Sequence, residues 1–232
     1  MKVVIMAGGK GTRISSVASD IPKPMIKIEG IPVLEREIEC LKEQGYEDIL
    51  ITVSHLGNII MDYFGDGSGN SPVTGQPFGV HIEYYFEREP LGNAGALFKI
   101  KDKLTEDFLL LNADAMFDVD FNRFVEYHKQ HGGLVTLFTH PNSHPYDSGL
   151  IIADKKGAVE KWLAKEDERP KYYRNRVNSA YFASDCFAVC RKLHEQSSVS
   201  EYCGGISDWR GNRNDCSEFY ERCKKIYGKS GR

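Results

Sequence analysis

The chain has 232 residues, a formal net charge of −3, and a content of 41% hydrophobic and 27% charged residues. This composition is typical of a globular protein with one sizeable core, and it gives no general attraction to nucleic acid. No apolar run is long enough to span a membrane, and Met1 leads into a strand pattern rather than a signal peptide. We therefore expect a cytoplasmic protein whose partners are neither nucleic acids nor membranes.

The hydrophobic pattern alternates between strand and helix periods. The predicted strands cover residues 2–7, 49–53, 80–86, 108–111, 134–138 and 150–152. The predicted helices cover residues 33–44, 57–64, 93–104 and 122–131, and the Gly- and Ser-rich segment 65–79 is predicted to be a surface loop. Strands and helices in this order predict a mostly parallel sheet covered on both faces, with ligands bound beyond the carboxyl ends of the strands.

A glycine-rich turn follows the first predicted strand, with the sequence Gly8-Gly9-Lys10-Gly11-Thr12-Arg13. Its glycines allow the backbone to turn tightly and to present amide groups to an anion, and phosphate is the usual occupant of such a turn. Lys10 and Arg13 add positive charge, and Arg13 offers two donors to one phosphate group. The turn therefore predicts a polyphosphate site.

A lysine between two prolines follows the turn, in the segment Pro22-Lys23-Pro24-Met25. We expect the prolines to hold Lys23 in a stiff extended frame that restricts where its ammonium group lies.

Common phosphate-binding motifs do not match the glycine-rich turn. No glycine is followed by Lys and then Ser or Thr, as a Walker sequence requires, and Ile14 occupies the third glycine position of the dinucleotide pattern.

Two further segments follow predicted strands at the same edge of the sheet. Asp114, in Asn112-Ala113-Asp114, is a hard oxygen ligand suited to Mg²⁺, whereas Asp118 and Asp120 are expected to be turn and capping residues. The segment 87–97 contains Pro90 and Gly92, whose turn can present backbone groups to a base, and Asn93 is predicted to cap the next helix.

These segments together resemble the sugar-1-phosphate nucleotidyltransferases, most closely the heptose-1-phosphate and mannose-1-phosphate guanylyltransferases. The resemblance implies a Rossmann-like three-layer αβα sandwich with a mostly parallel mixed sheet, of the nucleotidyltransferase (glycosyltransferase-A-like) type. It assigns Arg13, Lys23 and Asp114 to catalysis, with Asp114 holding Mg²⁺. The nucleotide-binding residues that it implies are Ala7, Gly8, Gly9, Gly11, Thr12, Glu89, Pro90, Gly92 and Asn112.

The resemblance extends to a sugar-phosphate site, for which it implies Gly149, Lys165 and Asn178. Ala164 stands where the family has a glutamate. The implied reaction transfers a nucleoside monophosphate from an NTP, taken to be GTP from the closeness of the resemblance, to a sugar 1-phosphate. Its products, NDP-sugar and pyrophosphate, suit the synthesis of cell-surface polysaccharide precursors. The alternative is a module that binds Mg-nucleotide with little or no turnover.

The resemblance is expected to cover residues 1–180, with a nucleotide-binding part in 1–130 and a partial sugar-phosphate part in 131–180. Residues 181–232 form an atypical tail with five of the six cysteines, Cys186, Cys190, Cys203, Cys216 and Cys223. We expect two short helices there, at 185–194 and 216–227, and no zinc site because no Cys-x-x-Cys pair occurs. The resemblance implies a second metal-binding aspartate in an Asp-x-Gly motif in this region, but Asp208 and Asp215 of the tail are not in such a context. We hypothesise that a reading-frame change or truncation produced this tail, and that its removal changes nucleotide affinity little.

Overall fold

The computed structural model describes residues 1–8, 20–89, 91–116, 119–131, 135–141, 150–154, 158–163 and 181–190. The strands are β1 (Val3–Ala7), β2 (Lys27–Ile28), β3 (Ile31–Pro32), β4 (Asp48–Val53), β5 (His81–Phe86), β6 (Phe108–Asn112), β7 (Val135–Pro141), β8 (Leu150–Ala153), β9 (Val159–Leu163) and β10 (Tyr181–Cys190). The helices are α1 (Val33–Glu43), α2 (Gly57–Phe64), α3 (Gly92–Lys99) and α4 (Phe121–His131), with short 3-10 turns at Lys23–Met25 and Lys101–Lys103.

One mixed sheet forms the centre of the fold. Its parallel half has the order β5-β4-β1-β6, and β10, β8 and β9 continue it in antiparallel pairings, while β7 also pairs with β10. The parallel strands are joined through helices, as crossover connections require. Their carboxyl ends therefore lie at one edge, where the segments following β1, β4, β5 and β6 meet. Strands β2 and β3 form a separate small hairpin.

Helices cover the parallel half on both faces, because alternate residues of each strand are buried on opposite sides. On one face, Val3 and Ile5 pack in a cluster with residues of α1, α2 and α4. On the other face, Val4 packs with Leu97 of α3 and with Ile100 beyond it. These layers confirm the predicted αβα arrangement. Among the described residues, no helix is both long and apolar enough to cross a membrane.

Two predictions about local structure are wrong. A helix was expected over residues 185–194, but the described part, 185–190, instead belongs to β10, which pairs with β6, β7 and β8. Its residues Phe187 to Val189 lie beside the apolar β6, and these sheet contacts override the local pattern that suggested a helix. Asn93 was expected to cap a helix, but α3 begins one residue earlier, at Gly92, and ends at Lys99.

The remaining predicted elements in the described ranges are found within a few residues of their expected bounds. Segment 65–79 is a surface loop, closed by a bridge between Asn70 and Pro77. Asp120 caps α4 as predicted, because its side-chain oxygen accepts a hydrogen bond of 2.9 Å from the Arg123 amide. The second helix expected in the tail, and Asp118, lie outside the described residues.

Candidate functional site

Four residues lie level with one another at the carboxyl edge of the parallel strands. Gly8, Ser54 and Glu87 directly follow β1, β4 and β5, and Asp114 lies two residues past β6. The register pairs Ala7 with Val53, Val53 with Phe86, and Met6 with Asn112. Continuing that register places Gly8 beside Ser54 and Asp114, and Glu87 beside Ser54. One row across four strands thus carries a glycine, a hydroxyl and two carboxylates.

Gly8 is in contact with two side chains, one that follows β4 and one that follows β5. The Ser54 hydroxyl donates a hydrogen bond of 2.6 Å to the Gly8 carbonyl oxygen. The Glu87 carboxylate lies against the Gly8 Cα, so closely that a Cβ there would come within 2.4 Å of Glu87 Oε1. Only glycine fits this position without displacing Glu87. The start of the predicted phosphate turn is therefore fixed by side chains that follow β4 and β5.

Lys23 and Asp114 come together at the same edge. The Lys23 Nζ lies 3.8 Å from Asp114 Oδ2, and the two side chains are 28% and 52% exposed. The backbone at Lys23 is a 3-10 turn rather than the extended frame expected, although Pro22 before it is extended. The Met25 amide closes this turn with a 2.8 Å bond to the Pro22 carbonyl, and the buried Met25 anchors it in the core. The lysine is therefore positioned but accessible.

A buried acid lies near this pair. Glu37 of α1 is 2% exposed, and burial raises the pKa of its carboxyl group well above the ordinary value, with a further contribution from the negative charge of Asp114. Neither Glu37 oxygen has a hydrogen-bond partner among the described residues. Burial thus favours the neutral form of Glu37, whereas Asp114 is an exposed hard oxygen ligand. This donor set fits a divalent cation such as Mg²⁺, which Asp114 would hold.

A second acidic group lies at the opposite, amino edge of the sheet. Asp48, His81 and Glu83 have ligand atoms within 4.8 Å of one another. Lys2 Nζ already lies 2.9 Å from Asp48 and 3.2 Å from Glu83, and Lys103 also pairs with Glu83. Because these ammonium groups neutralise the carboxylates and would repel a cation, this group is better explained as an ion-pair network that joins β1, β4 and β5.

The other predicted site residues divide into two sets. Ala7, Asn112 and Gly92 lie at or next to the carboxyl edge, at the ends of β1 and β6 and the start of α3. Glu89 is exposed on the turn after β5. The following predicted residues lie outside the described part of the chain: Gly9, Gly11, Thr12, Arg13, Pro90, Gly149, Lys165 and Asn178.

Sequence analysis missed Ser54 and Glu87 at the site, and it did not predict that Glu37 is buried. Glu87 could have been predicted from its position along the strand. It is the first residue after β5, and the strand register places it in the same row as Gly8. The resemblance of segment 87–97 to the family implies Glu89 instead. Glu37 lies within an amphipathic helix pattern, in which a glutamate is ordinarily assigned to the solvent face.

Residues 2–204 match the protein family described as nucleotidyl transferase. The UTP–glucose-1-phosphate uridylyltransferase of Synechocystis sp. is 36% identical over 173 residues, which cover 68% of this chain and 42% of that protein. A probable mannose-1-phosphate guanylyltransferase of Oryza sativa subsp. japonica is 29% identical over 188 residues, covering 78% and 49%. The crystal structure of HddC from Yersinia pseudotuberculosis complexed with GMP-PN has a similar fold, with a TM-score of 0.67 at 24% identity, and 97% of this chain and 98% of that one are covered.

Two facts follow from these comparisons. The chain spans less than half the length of both curated relatives described above. The family match also continues past Tyr181 to residue 204, so the expectation that the resemblance ends near residue 180 is wrong. The position of β10 in the central sheet agrees with this longer match.

Proposed function

Because the chain belongs to the nucleotidyl transferase family, we propose that it transfers a guanylyl group from GTP to a sugar 1-phosphate and releases pyrophosphate. The observation that carries this proposal is the joint placement of Gly8, Lys23 and Asp114 at the carboxyl edge of the parallel strands. An NDP-sugar is an activated glycosyl donor, and we propose that it serves the assembly of cell-surface polysaccharide.

The reaction exchanges one phosphate ester bond for another. An oxygen of the sugar phosphate forms a bond to the α-phosphorus, and the bond to the oxygen bridging the α- and β-phosphorus breaks, so that the electron pair leaves with pyrophosphate. The sugar phosphate is largely ionised near neutral pH, since its second pKa is about 6, and no general base is needed. Catalysis is then mainly alignment of two anions and neutralisation of charge.

The described residues supply parts of that work. The Lys23 ammonium is accessible at the edge of the crevice, where it can neutralise phosphate charge during transfer. Ser54 and Glu87 fix Gly8, the first residue of the turn that receives the phosphates. A divalent cation on Asp114 would add positive charge next to the triphosphate. We propose that Arg13 grips the triphosphate, and that Gly149, Lys165 and Asn178 bind the sugar phosphate.

Glu87 supports guanine as the base. Glu87 is 8% exposed, and its carboxylate lies beside Gly8. Of the common bases, guanine alone presents two adjacent donors, N1–H and the N2 amino group, which match the two oxygens of a carboxylate. A uracil or thymine ring offers only one ring N–H to such an acceptor. The curated relatives include both uridylyl- and guanylyltransferases and so do not decide the base. Our proposal of guanine therefore rests on Glu87.

The direct test is pyrophosphate release from GTP with a panel of sugar 1-phosphates. We expect sugar-dependent release that Asp114→Asn abolishes. Release from GTP without a sugar phosphate, or activity that Asp114→Asn leaves unchanged, contradicts the proposal.

A nucleotide-binding module with little or no turnover is the second candidate. One observation favours it: residues 181–232 contain no Asp-x-Gly sequence. Tight Mg-GTP binding without pyrophosphate release from any sugar 1-phosphate would support this candidate over the enzyme.

A further inference from the structure

The main chain of Lys23 is fixed on both sides, whereas its side chain is accessible. Pro22 and Pro24 restrict the backbone torsions of the segment. The Ile26 amide donates to the Lys23 carbonyl oxygen at 3.0 Å, and the two residues after Lys23, Pro24 and Met25, are buried. The ammonium group can therefore change its position by rotation about side-chain bonds, without a movement of the backbone.

Asp114 combines a fixed main chain and an accessible side chain in the same way. The amide of Ala113, which is 1% exposed, donates to the Met6 carbonyl oxygen at 3.2 Å and so attaches the turn after β6 to β1. The distance of 3.8 Å between Lys23 Nζ and Asp114 Oδ2 is longer than a hydrogen bond. The two side chains therefore attract each other only electrostatically, and such partly exposed pairs are weak. Either group can leave the pair for a stronger partner.

The two substrate-side partners compete with this ion pair. A divalent cation needs the Asp114 carboxylate, and a triphosphate needs the Lys23 ammonium group. While the pair is formed, the positive charge of Lys23 repels a cation, and Asp114 repels a phosphate. We propose that the Lys23–Asp114 pair makes cation binding conditional on nucleotide: the phosphate oxygens take the ammonium group, and the released carboxylate takes the cation. This inference rests on the proposed function, which brings nucleotide and cation to this edge of the sheet.

Mn²⁺ binding to the full chain without nucleotide, measured from the EPR signal of free Mn²⁺, tests the competition for Asp114. Lys23→Met should tighten the binding on the order of fivefold, which corresponds to about 1 kcal/mol, because a neighbouring positive charge is gone. Added salt should reduce this gain by screening. Lys27→Met, which removes the charge of an exposed lysine from the same segment, should bind Mn²⁺ like the parent chain. Combined with Asp114→Asn, Lys23→Met should give no gain.

GTP calorimetry in EDTA tests the release of Lys23 to the phosphates. Asp114→Asn should bind GTP a few-fold more tightly than the parent chain, because it releases the ammonium group and removes a negative charge. In a Lys23→Met background, Asp114→Asn should gain less, because no ammonium group remains to be released. If Asp114 only repelled the phosphates, its removal would gain more without Lys23, since no positive charge would then screen it.

The outcomes separate this inference from the proposed function. Unchanged Mn²⁺ binding in Lys23→Met, or equal tightening in Lys27→Met, overturns the inference. Mn²⁺ binding that Asp114→Asn leaves unchanged also overturns it, and so does a gain in GTP affinity from Asp114→Asn that is as large without Lys23. If the parent chain binds no GTP even with Mg²⁺, the proposed function fails and the conditional step falls with it, whereas the Mn²⁺ titrations still decide whether the two charges compete.

Discussion

Glu87 is the residue whose replacement tests the base most directly. ITP lacks the N2 amino group of GTP, so the parent chain should bind GTP more tightly by about 1–3 kcal/mol, the usual cost of losing a good two-point contact to a base. Glu87→Gln replaces one acceptor oxygen with a donor and should remove most of this difference. Calorimetry with both nucleotides measures it. An unchanged preference in Glu87→Gln would exclude this residue from base recognition.

Ser54 offers a second residue-scale prediction. Ser54→Ala removes the hydrogen bond that fixes the Gly8 carbonyl, at a cost of about 1 kcal/mol, or about fivefold in GTP affinity. Ser54→Thr retains the hydroxyl and should restore most of the loss. GTP titrations of the three chains give the measurement. Equal weakening by Ala and Thr would show that size, not the hydroxyl, matters at this position.

Residues in short motifs with strong backbone preferences were the predictable part of the site. Lys23 and Asp114 are such residues, and the structure places Lys23 Nζ 3.8 Å from Asp114 Oδ2. Glu87 was missed because its role depends on contacts between elements that are distant in sequence. Glu87 meets Gly8 only after β5 and β1 take their places around β4.

At the scale of elements, Glu35 joins α1 both to α2, through Tyr63, and to the loop that follows α2, through the Thr74 hydroxyl at 3.3 Å. The Tyr63 hydroxyl donates to Glu35, and burial together with this carboxylate raises the pKa of Tyr63 to about 12. Ser71 stabilises the loop itself by accepting hydrogen bonds from the Val73 and Thr74 amides. The Tyr63 ring also packs against Phe64. The surface loop predicted from composition is thus an ordered part of the α1 face.

Tyr63→Phe tests this connection. It leaves the buried Glu35 carboxylate with one partner fewer and should lower the free energy of unfolding by about 1–3 kcal/mol. Tyr84→Phe is the matched control, because the buried Tyr84 hydroxyl has no hydrogen-bond partner among the described residues and its removal should be neutral or stabilising. Denaturant titration of the two variants compares them. A smaller loss in Tyr63→Phe than in Tyr84→Phe would contradict the account.

The ion pairs at the amino edge predict a dependence of stability on pH. Hydrogen bonds from Lys103 and Lys2 lower the pKa of Glu83 from its ordinary 4.5. Burial opposes ionisation of Asp48, but bonds from Lys2 and His81 outweigh it and lower its pKa from 3.8. A carboxyl group with a lowered pKa contributes stability above its ordinary pKa and loses it as the pH falls through the folded value.

Lys2→Met should therefore cost about 1 kcal/mol at pH 7, since Lys2 is the shared and less exposed partner of both acids. The difference from the parent should hold down to about pH 5 and shrink as the pH falls below 4. Denaturant titrations along this pH series provide the measurement. A difference that stays constant down to pH 2 would show that the ion pairs with Asp48 and Glu83 do not account for it.

At the scale of the whole molecule, the parallel half of the sheet was predictable and the antiparallel half less so. The strands β1, β4 and β6 are apolar runs separated by amphipathic helices, and such a sequence has few alternative arrangements. β10 follows no such pattern. It forms because long-range pairing with β6, β7 and β8 supplies hydrogen bonds that the local sequence does not suggest.

A domain boundary at residue 180 would divide this sheet, because β10 fills the position between β6 and β8. Removing 181–232 would expose the hydrogen-bonding edge of β6 and separate β8 and β9 from the parallel half. We therefore propose that the nucleotide-binding unit extends at least to Cys190, the end of β10. Removal of residues 181–232 was expected to change nucleotide affinity little. The sheet instead predicts that chains ending at residue 180 and at Cys190 differ in stability and in nucleotide binding.

A chain ending at Cys190 should unfold cooperatively and bind Mg-GTP like the full chain, because every described strand remains. A chain ending at residue 180 should lose several kcal/mol of stability or fail to stay soluble, since an unpaired apolar strand edge is left at the centre of the sheet. Thermal unfolding and GTP calorimetry of the two truncations compare them at equal concentration. If both truncations match the full chain, β10 contributes nothing to the sheet and the boundary at residue 180 stands.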